Sequence, residues 1–328
     1  MRAALIPLLL ALPLWPEGCP PPPAGIADIR ATNFYIDAAH SVADPARLAE
    51  YRAQAKPFEA FRSAVMTFTD AFLEDGSRLD CAIAYLRRWA SDRAMLGELG
   101  RVNGSSQSQY VREWTLGSLA ISWNKIRVHA PAEERALIDG WLRECAHAGI
   151  AYKAQHLKGE ANNHLYWGGV ADMAVGVATG DQVLLDEARR IYRQGISDIQ
   201  EDGVLPQEMK RGCKALHYHA YAEMALVLIA EMSRKVGENW YADQDFRLNR
   251  LSRLVAAGIR NPSIFVERTG GYAPQEPLSE ADLAWVAFVK RRIPSGEAFD
   301  GIAYSRKAVG AIGGKARLMM EKGVFDPR

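Results

Sequence analysis

The 328-residue sequence has almost no excess of charge of either sign, since 40 basic and 39 acidic residues leave a formal net charge of +1. No global basic field that would attract nucleic acid is therefore present, and a polyanionic substrate would need a local basic patch. Cysteine is scarce as well: there are four, and no Cys-x-x-Cys pair points to a zinc ribbon or a redox dithiol. Neither a His-Glu-x-x-His motif nor an EF-hand loop occurs, so we expect no metal and no cofactor.

Long apolar runs are confined to the N-terminus. Arg2 precedes an apolar stretch over residues 3–14 that is too short to span a bilayer, and Trp15 and Pro16 interrupt it. This pattern predicts a signal peptide over approximately residues 1–18. We therefore expect a periplasmic or secreted protein that does not insert into the membrane after cleavage.

Strand signals are also rare, and apolar residues recur mostly at helical spacing. No linker interrupts the chain, so we expect a single all-α domain over residues 19–328 that is monomeric. A toroid of helical hairpins or an irregular helical bundle fits this pattern. Helices are predicted over residues 46–73 (as one helix or two), 79–90, 110–127, 131–152, 164–178, 182–198 and 207–236, with weaker signals over 245–258, 279–292 and 306–321.

The four cysteines have different expected roles. Cys19 lies in a proline-rich segment without helical potential, and such a tail gains order from a covalent tie to the body of the protein. Cys81, on a predicted helix, is the favoured partner, while a lipid-modified Cys19 is the alternative. Cys145 and Cys213 lie within helical patterns and are expected to be buried as small apolar side chains.

Two polar clusters interrupt the helical patterns. The first is Asn-Asn-His-Leu-Tyr-Trp over residues 162–167. One asparagine can cap a helix, but a cap does not explain two amides, an imidazole, a phenol and an indole in six residues. The second cluster lies over residues 210–221, where a helix would place Arg211, Lys214 and Tyr218 on one face. Its histidines, His217 and His219, could equally be buried structural residues.

Together the clusters contain the groups that β-elimination on a uronic-acid polymer requires. The proton at C5 becomes acidic only when the neighbouring carboxylate is neutralised, and Asn163 and Arg211 offer an amide and a guanidinium for this. His164 and Tyr218 could serve as base and acid, since a phenol beside cations is expected to lose its proton more easily. The carboxylate pair of a glycoside hydrolase is not evident.

At these residues the chain resembles the alginate lyases of polysaccharide lyase family five, over most of residues 19–290. The similarity is strongest in three blocks: residues 79–89 with 114–119; residues 162–167, where the family has Asn-Asn-His-Ser-Tyr-Trp; and residues 202–221, which are similar to Gly-x-Leu-Pro-x-Glu followed by basic residues and Ala-Leu-x-Tyr-His-x-Tyr. The resemblance implies an incomplete α/α toroid with a deep tunnel for an anionic polysaccharide.

The resemblance also implies roles for individual residues. Asn163 and Arg211 match the groups that neutralise the carboxylate, His164 the neighbouring histidine, and Tyr218 the tyrosine that donates to the leaving oxygen. In the family this tyrosine often also serves as the base, and the Cys19–Cys81 bridge is similar to a family disulfide. The residues expected to contact substrate are Trp114, Tyr166, Lys210, Lys214 and His40.

Parts of the chain depart from the family pattern. His40 stands where the N-terminal lid of the family often has a tyrosine, and the segment after Gly270 matches poorly. These departures do not touch Asn163, His164, Arg211 or Tyr218. We expect a mannuronate-specific alginate lyase; the alternatives are a lyase for another polyuronate such as glucuronan, and a non-catalytic polyuronate-binding or exopolysaccharide-assembly protein.

Overall fold

The computed structural model describes residues 16–156 and 161–327, and helices account for most of them. The predicted signal peptide falls almost entirely outside the described residues. Two short strands, β1 (Ile29–Arg30) and β2 (Leu99–Gly100), pair in parallel. The α-helices are α1 Pro45–Asp75, α2 Leu79–Ser91, α3 Gln107–Ile126, α4 Ala132–His156, α5 Asn163–Thr179, α6 Gln182–Asp198, α7 Pro206–Met209, α8 Ala215–Ser233, α9 Asp243–Phe246, α10 Leu248–Arg260, α11 Ser263–Arg268, α12 Val286–Arg292 and α13 Ala316–Glu321.

The ends of the long helices follow from their capping residues. Asp44 accepts a hydrogen bond from the backbone N–H of Arg47 at 2.8 Å, and Pro45 occupies the first helical position of α1. Asp181 caps α6 in the same way. The helices predicted over residues 46–73 and 182–198 are confirmed, and α1 is one continuous helix although Pro57 lies inside it.

Helix α5 is the centre of the packing. It contacts α3, α4, α6 and α8, while α1 packs on α2 and α3. A continuous apolar core fills the space between these helices, and the stacked rings of Phe61 and Trp89 lie 3.5 Å apart within it. Because α5 is buried on several sides, the residues at its N-terminus are held by neighbouring helices rather than by a loop.

The N-terminal segment is tied to α2. Cys19 and Cys81 form the predicted disulfide, and the Arg78 guanidinium donates to the carbonyl oxygen of Gly18 at 2.6 Å. Cys145 is free and buried, as expected, but Cys213 is only partly buried. The expectation for Cys213 was wrong because this residue lies in a 3₁₀ turn ahead of α8 and not inside a helix.

The long helix predicted over residues 207–236 is broken. Helix α7 ends at Met209, Gly212 adopts a positive φ of 57°, and α8 begins only at Ala215. A continuous helix cannot pass through a left-handed residue. Arg211, Lys214 and Tyr218 therefore do not share one helical face, and that part of the sequence interpretation was wrong.

The weaker helix predictions near the C-terminus hold only in part. Residues 248–260 form α10, but only residues 286–292 and 316–321 are α-helical in the two last predicted stretches. Gly313 and Gly314 have φ values of 69° and 144°, which ends regular structure before α13. Within the described ranges, no helix combines the length and apolarity needed to cross a membrane.

Candidate active site

A cleft of about 400 Å³ brings together parts of the chain that are distant in sequence. Its walls come from the segment before α1, the loop and first turns of α3, the start of α5, and the region from Arg211 into α8. The lining residues are Asn33, Phe34, Tyr35, His40, Gly104, Ser105, Ser106, Gln107, Tyr110, Trp114, Asn162, His164, Arg211, His217, Tyr218 and Tyr221. Aromatic rings, imidazoles and one guanidinium dominate this list, and it contains no aspartate or glutamate.

Tyr218 lies in a cluster of aromatic and cationic groups. Its side chain is 9% exposed, and its hydroxyl is hydrogen-bonded to the hydroxyl of Tyr35 at 2.8 Å. The Arg211 guanidinium lies over the ring, 4.6 Å from its centroid. Burial and the neighbouring phenol of Tyr35 raise the pKa of Tyr218 well above its ordinary value, although Arg211 opposes this. The expectation that nearby cations ease loss of the phenolic proton was wrong, because desolvation of the phenolate outweighs them.

His164 is held against an aromatic wall. Its ring stacks on Tyr110 with centroids 3.7 Å apart and an interplanar angle of 10°. Desolvation and the positive charge of Arg211 lower the pKa of His164 to about 3. The imidazole is therefore neutral near pH 7, and its Nδ1 has no hydrogen-bond partner among the described residues.

Asn163 and Arg211 are joined by a buried carboxylate. The backbone N–H of Asn163 donates to Glu208 at 2.7 Å, and its side-chain amide donates to both carboxylate oxygens at 3.0 and 2.9 Å. Arg211 lies 3.5 Å from the same carboxylate. Asn163 is fully buried and is not among the residues that line the cleft, and its Oδ1 has no partner among the described residues. Glu208 thus fixes both predicted carboxylate-neutralising residues.

Local structure explains why these side chains meet. The Asn162 side chain accepts from the backbone N–H of His164 at 2.9 Å and starts α5, which sets the direction of the following two side chains. The positive φ of Gly212 turns the chain between Arg211 and α8, so that the guanidinium folds back over Tyr218.

The residues predicted to contact substrate are placed differently from one another. Trp114 and His40 line the cleft, and His40 stacks on Tyr35 with centroids 5.7 Å apart. Lys214 lies at the rim, with its ammonium 5.5 Å from the Tyr35 ring. Lys210 is exposed and bonded to Gln207 outside the cleft.

Tyr166 points away from the cleft. It is 1% exposed, and its hydroxyl donates to Asp198 of α6 at 2.9 Å. The tyrosine of the Asn-Asn-His motif therefore belongs to the packing between α5 and α6, because it lies two positions beyond His164 and so faces a different side of the helix.

Sequence reasoning missed three residues of the site. Tyr35 lies in a segment without periodicity, and no local signal distinguished it from a loop residue. Tyr110 lies in the first turn of α3 and resembles an ordinary apolar residue there. Glu208 did carry a signal, since it ends the Leu-Pro-Gln-Glu block at residues 205–208, but its role depends on the tertiary contact with Asn163. Among the residues that the structure describes, no cluster of His, Cys, Asp and Glu side chains is placed to hold a metal ion.

The alginate lyase family model matches residues 28–265, which is most of the chain. The chain belongs to the alginate lyase family. A protein named polysaccharide lyase from Stenotrophomonas maltophilia strain K279a is 40% identical over 99% of this chain and 97% of its own length. An alginate lyase from Pseudomonas putida strain GB-1 is 30% identical over 82% of this chain and 75% of its own length.

Solved structures of a family member show the same fold. Alginate lyase A1-III from Sphingomonas species A1 superimposes with a TM-score of 0.73 at 24% identity, covering 92% of this chain and 85% of that enzyme. A variant of that enzyme complexed with a tetrasaccharide gives a TM-score of 0.76 at the same identity and coverage. The predicted all-α fold, an incomplete α/α toroid, is thereby confirmed.

Proposed function

We propose that this protein is a polysaccharide lyase that cleaves the 1,4-glycosidic bonds of alginate, with preference for poly-β-D-mannuronate, in the periplasm or outside the cell. The reaction is a β-elimination that leaves a 4,5-unsaturated uronate at the new end. Membership of the alginate lyase family and the names of its relatives support the substrate class. The chemistry is argued from the cleft.

One observation carries the proposal: Arg211, His164 and Tyr218 converge in a cleft whose described lining contains no carboxylate. Hydrolysis of a glycosidic bond ordinarily uses two carboxyl groups, one on each side of the bond. Elimination needs instead a cation for the substrate carboxylate and a group that exchanges protons with C5 and the bridging oxygen. The described lining residues supply the groups that elimination needs and not the carboxyl pair that hydrolysis needs.

Arg211 neutralises the substrate carboxylate. Arg211 is 8% exposed as a residue, so a carboxylate that reaches it leaves water and is strongly attracted. This attraction stabilises the negative charge that develops when the C5 proton departs. Asn163, whose amide is held by Glu208, keeps the wall beside Arg211 rigid.

Tyr218 exchanges both protons. Because its pKa is raised, the resting phenol is protonated and can give its proton to the bridging oxygen as the C4–O bond breaks. The phenolic oxygen of Tyr218 takes the C5 proton in turn, and the electrons of the C5–H bond form the C4=C5 double bond. The phenol is regenerated, so no resting phenolate is needed. In mannuronate the C5 proton and the leaving oxygen lie on the same side of the ring, which allows one residue to reach both.

His164 acts as a neutral hydrogen-bonding group. With a pKa of about 3, it adds no positive charge that would compete with Arg211 for the substrate carboxylate. Stacking on Tyr110 fixes the orientation of the ring. We assign it the role of orienting the substrate beside Tyr218.

The nature of the products tests this proposal. Purified protein is incubated with polymannuronate, polyguluronate and glucuronan, and the masses of the products are measured by mass spectrometry. Elimination yields fragments that are one water lighter than hydrolysis products, and we expect these from polymannuronate. Cleavage of glucuronan alone would identify another polyuronate as the substrate. Binding of polymannuronate by folded protein without cleavage would support a non-catalytic role instead.

A further inference from the structure

A short segment beyond the family match lies against the start of α8. The buried Gln275 side chain accepts from the backbone N–H of Leu216 at 3.1 Å and donates to the carbonyl oxygen of Gly212 at 3.0 Å. The next residue, Glu276, donates its backbone N–H to the carbonyl oxygen of Cys213 at 2.7 Å. These bonds fix the backbone from which the Glu276 side chain projects.

The carboxylate of Glu276 reaches two cationic or ionisable groups at the rim of the cleft. One oxygen lies 2.8 Å from the Lys214 ammonium, and the other lies 4.0 Å from Nδ1 of His217. His217 lines the cleft, and the Lys214 ammonium lies over the ring of Tyr35. Among the described residues, Glu276 is therefore the acidic group paired with these two side chains, and it lies just outside a cleft whose described lining contains no carboxylate.

We propose that Glu276 is a specificity-determining residue that competes with a carboxylate of the bound polyuronate for Lys214 and His217. This inference rests on the proposed function. A uronate residue that enters beside Tyr35 presents the same chemical group as the glutamate side chain. It must displace Glu276 to gain the charge of Lys214.

Exposure makes such a displacement feasible. The Glu276 and Lys214 side chains are 36% and 21% exposed, and ion pairs of this kind are weak because water solvates both partners. A polymer that offers several carboxylates can therefore replace the glutamate. A polymer with few carboxylates gains little binding free energy from the exchange. The family match ends at residue 265, so Glu276 lies in a part of the chain that the family model does not cover.

The test measures binding without cleavage. All variants carry Tyr218→Phe, and the dissociation constant for a saturated oligomannuronate is measured by calorimetry at low and moderate salt. We expect Glu276→Gln to tighten binding about 3- to 10-fold and to steepen the salt dependence, because the rim gains net positive charge. Glu267→Gln, which removes an exposed carboxylate outside the cleft, is the matched control and should leave binding unchanged.

A double-mutant cycle identifies the cation involved. With Glu276 present, Lys214→Met should weaken binding less than about twofold, because the ammonium is already neutralised. In the Glu276→Gln background the same change should abolish most of the gain. Equal or weaker binding by Glu276→Gln, while the parent protein binds, would overturn the inference and leave the proposed function intact. No binding by the folded parent protein would overturn both.

Discussion

Two ionisable residues of the cleft, His164 and Tyr218, are uncharged near neutral pH. Desolvation acts on both: it lowers the pKa of His164, whose charged form is the cation, and raises that of Tyr218, whose charged form is the anion. Among the described lining residues, Arg211 is thus the principal fixed charge. In the proposed reaction a polyanion would meet this cation together with several neutral hydrogen-bonding groups, which suits binding of a carboxylate followed by proton exchange.

The neutral state of His164 has a measurable pH signature. Its pKa in the folded protein is about 3, below the ordinary value of about 6.5. Between about pH 6.5 and pH 3, the unfolded chain therefore binds a proton at this ring and the folded protein does not. The free energy of unfolding falls as the pH drops through this range. We expect the ring signals of His164 in NMR spectra to show no titration between pH 5 and 8. A midpoint near the ordinary value would contradict this assignment.

Glu208 is predicted to be a positioning residue. In Glu208→Gln an NH₂ group replaces one carboxylate oxygen and faces the amide of Asn163, so Asn163 and Arg211 lose their common anchor. We expect kcat on polymannuronate to fall about 10- to 100-fold with a smaller change in KM, because misplaced catalytic groups act mainly on the transition state. The exposed Glu267→Gln is the control. Full activity of Glu208→Gln would show that the anchor is dispensable.

The sequence was informative about residue types at the site and less so about their contacts. Arg211, His164 and Tyr218 were selected for their chemistry, and they lie around one cleft. The reason given for joining Arg211 and Tyr218, a common helical face, was wrong. The pairing of Tyr218 with Tyr35 spans 183 positions in sequence, and no local pattern predicts a contact at that range.

At the scale of helices, α5 positions the site because its neighbours approach closely. Gly169 of α5 faces Ile191 and Ile229, where an added Cβ would lie 2.8 and 3.0 Å from their side chains. Gly195 of α6 allows a similar approach, since a Cβ there would lie 2.6 Å from Leu226 and 3.1 Å from the Tyr166 ring. Glycine at these contacts lets α5, α6 and α8 share one tight interface.

Substitution of Gly195 tests this packing. We expect Gly195→Ala to lower the free energy of unfolding by about 1–3 kcal/mol, because the new methyl group overfills a closed interface. The matched control is Gly140→Ala in α4, where a Cβ would meet nothing within 4 Å. There alanine should stabilise the protein by about 0.5–1 kcal/mol through its helix propensity. Urea unfolding of both variants measures the difference, and equal effects would refute the packing argument.

Helical periodicity was sufficient where caps and apolar stripes agreed. Helices α1 to α6 lie close to their predicted ranges for this reason. Two of the failures occur at glycines with positive φ, namely Gly212 ahead of α8 and Gly313 and Gly314 ahead of α13. Their left-handed conformations are set by packing, which periodicity does not register.

At the scale of the whole molecule, the N-terminal segment completes the cleft. The disulfide to Cys81 and the parallel pairing of β1 with β2 hold this segment against the helical body. Tyr35 follows shortly after β1 and so reaches Tyr218. The near-neutral overall charge also conceals an uneven distribution, because the cleft is lined by Arg211 and imidazoles without a carboxylate among the described lining residues. Composition alone could not have revealed either feature.

The most direct test of the account follows the ultraviolet absorbance of the unsaturated uronate while native protein, Tyr218→Phe and Tyr304→Phe act on polymannuronate. Tyr304→Phe removes a hydroxyl from a tyrosine outside the described cleft lining and serves as the control. We predict that absorbance rises with the native protein and the control, and that Tyr218→Phe is slower by about 10²- to 10⁴-fold, the usual cost of losing a proton-transfer group. A Tyr218→Phe protein that cleaves at the native rate would contradict the assignment of Tyr218, and no rise with folded native protein would contradict the proposed lyase activity.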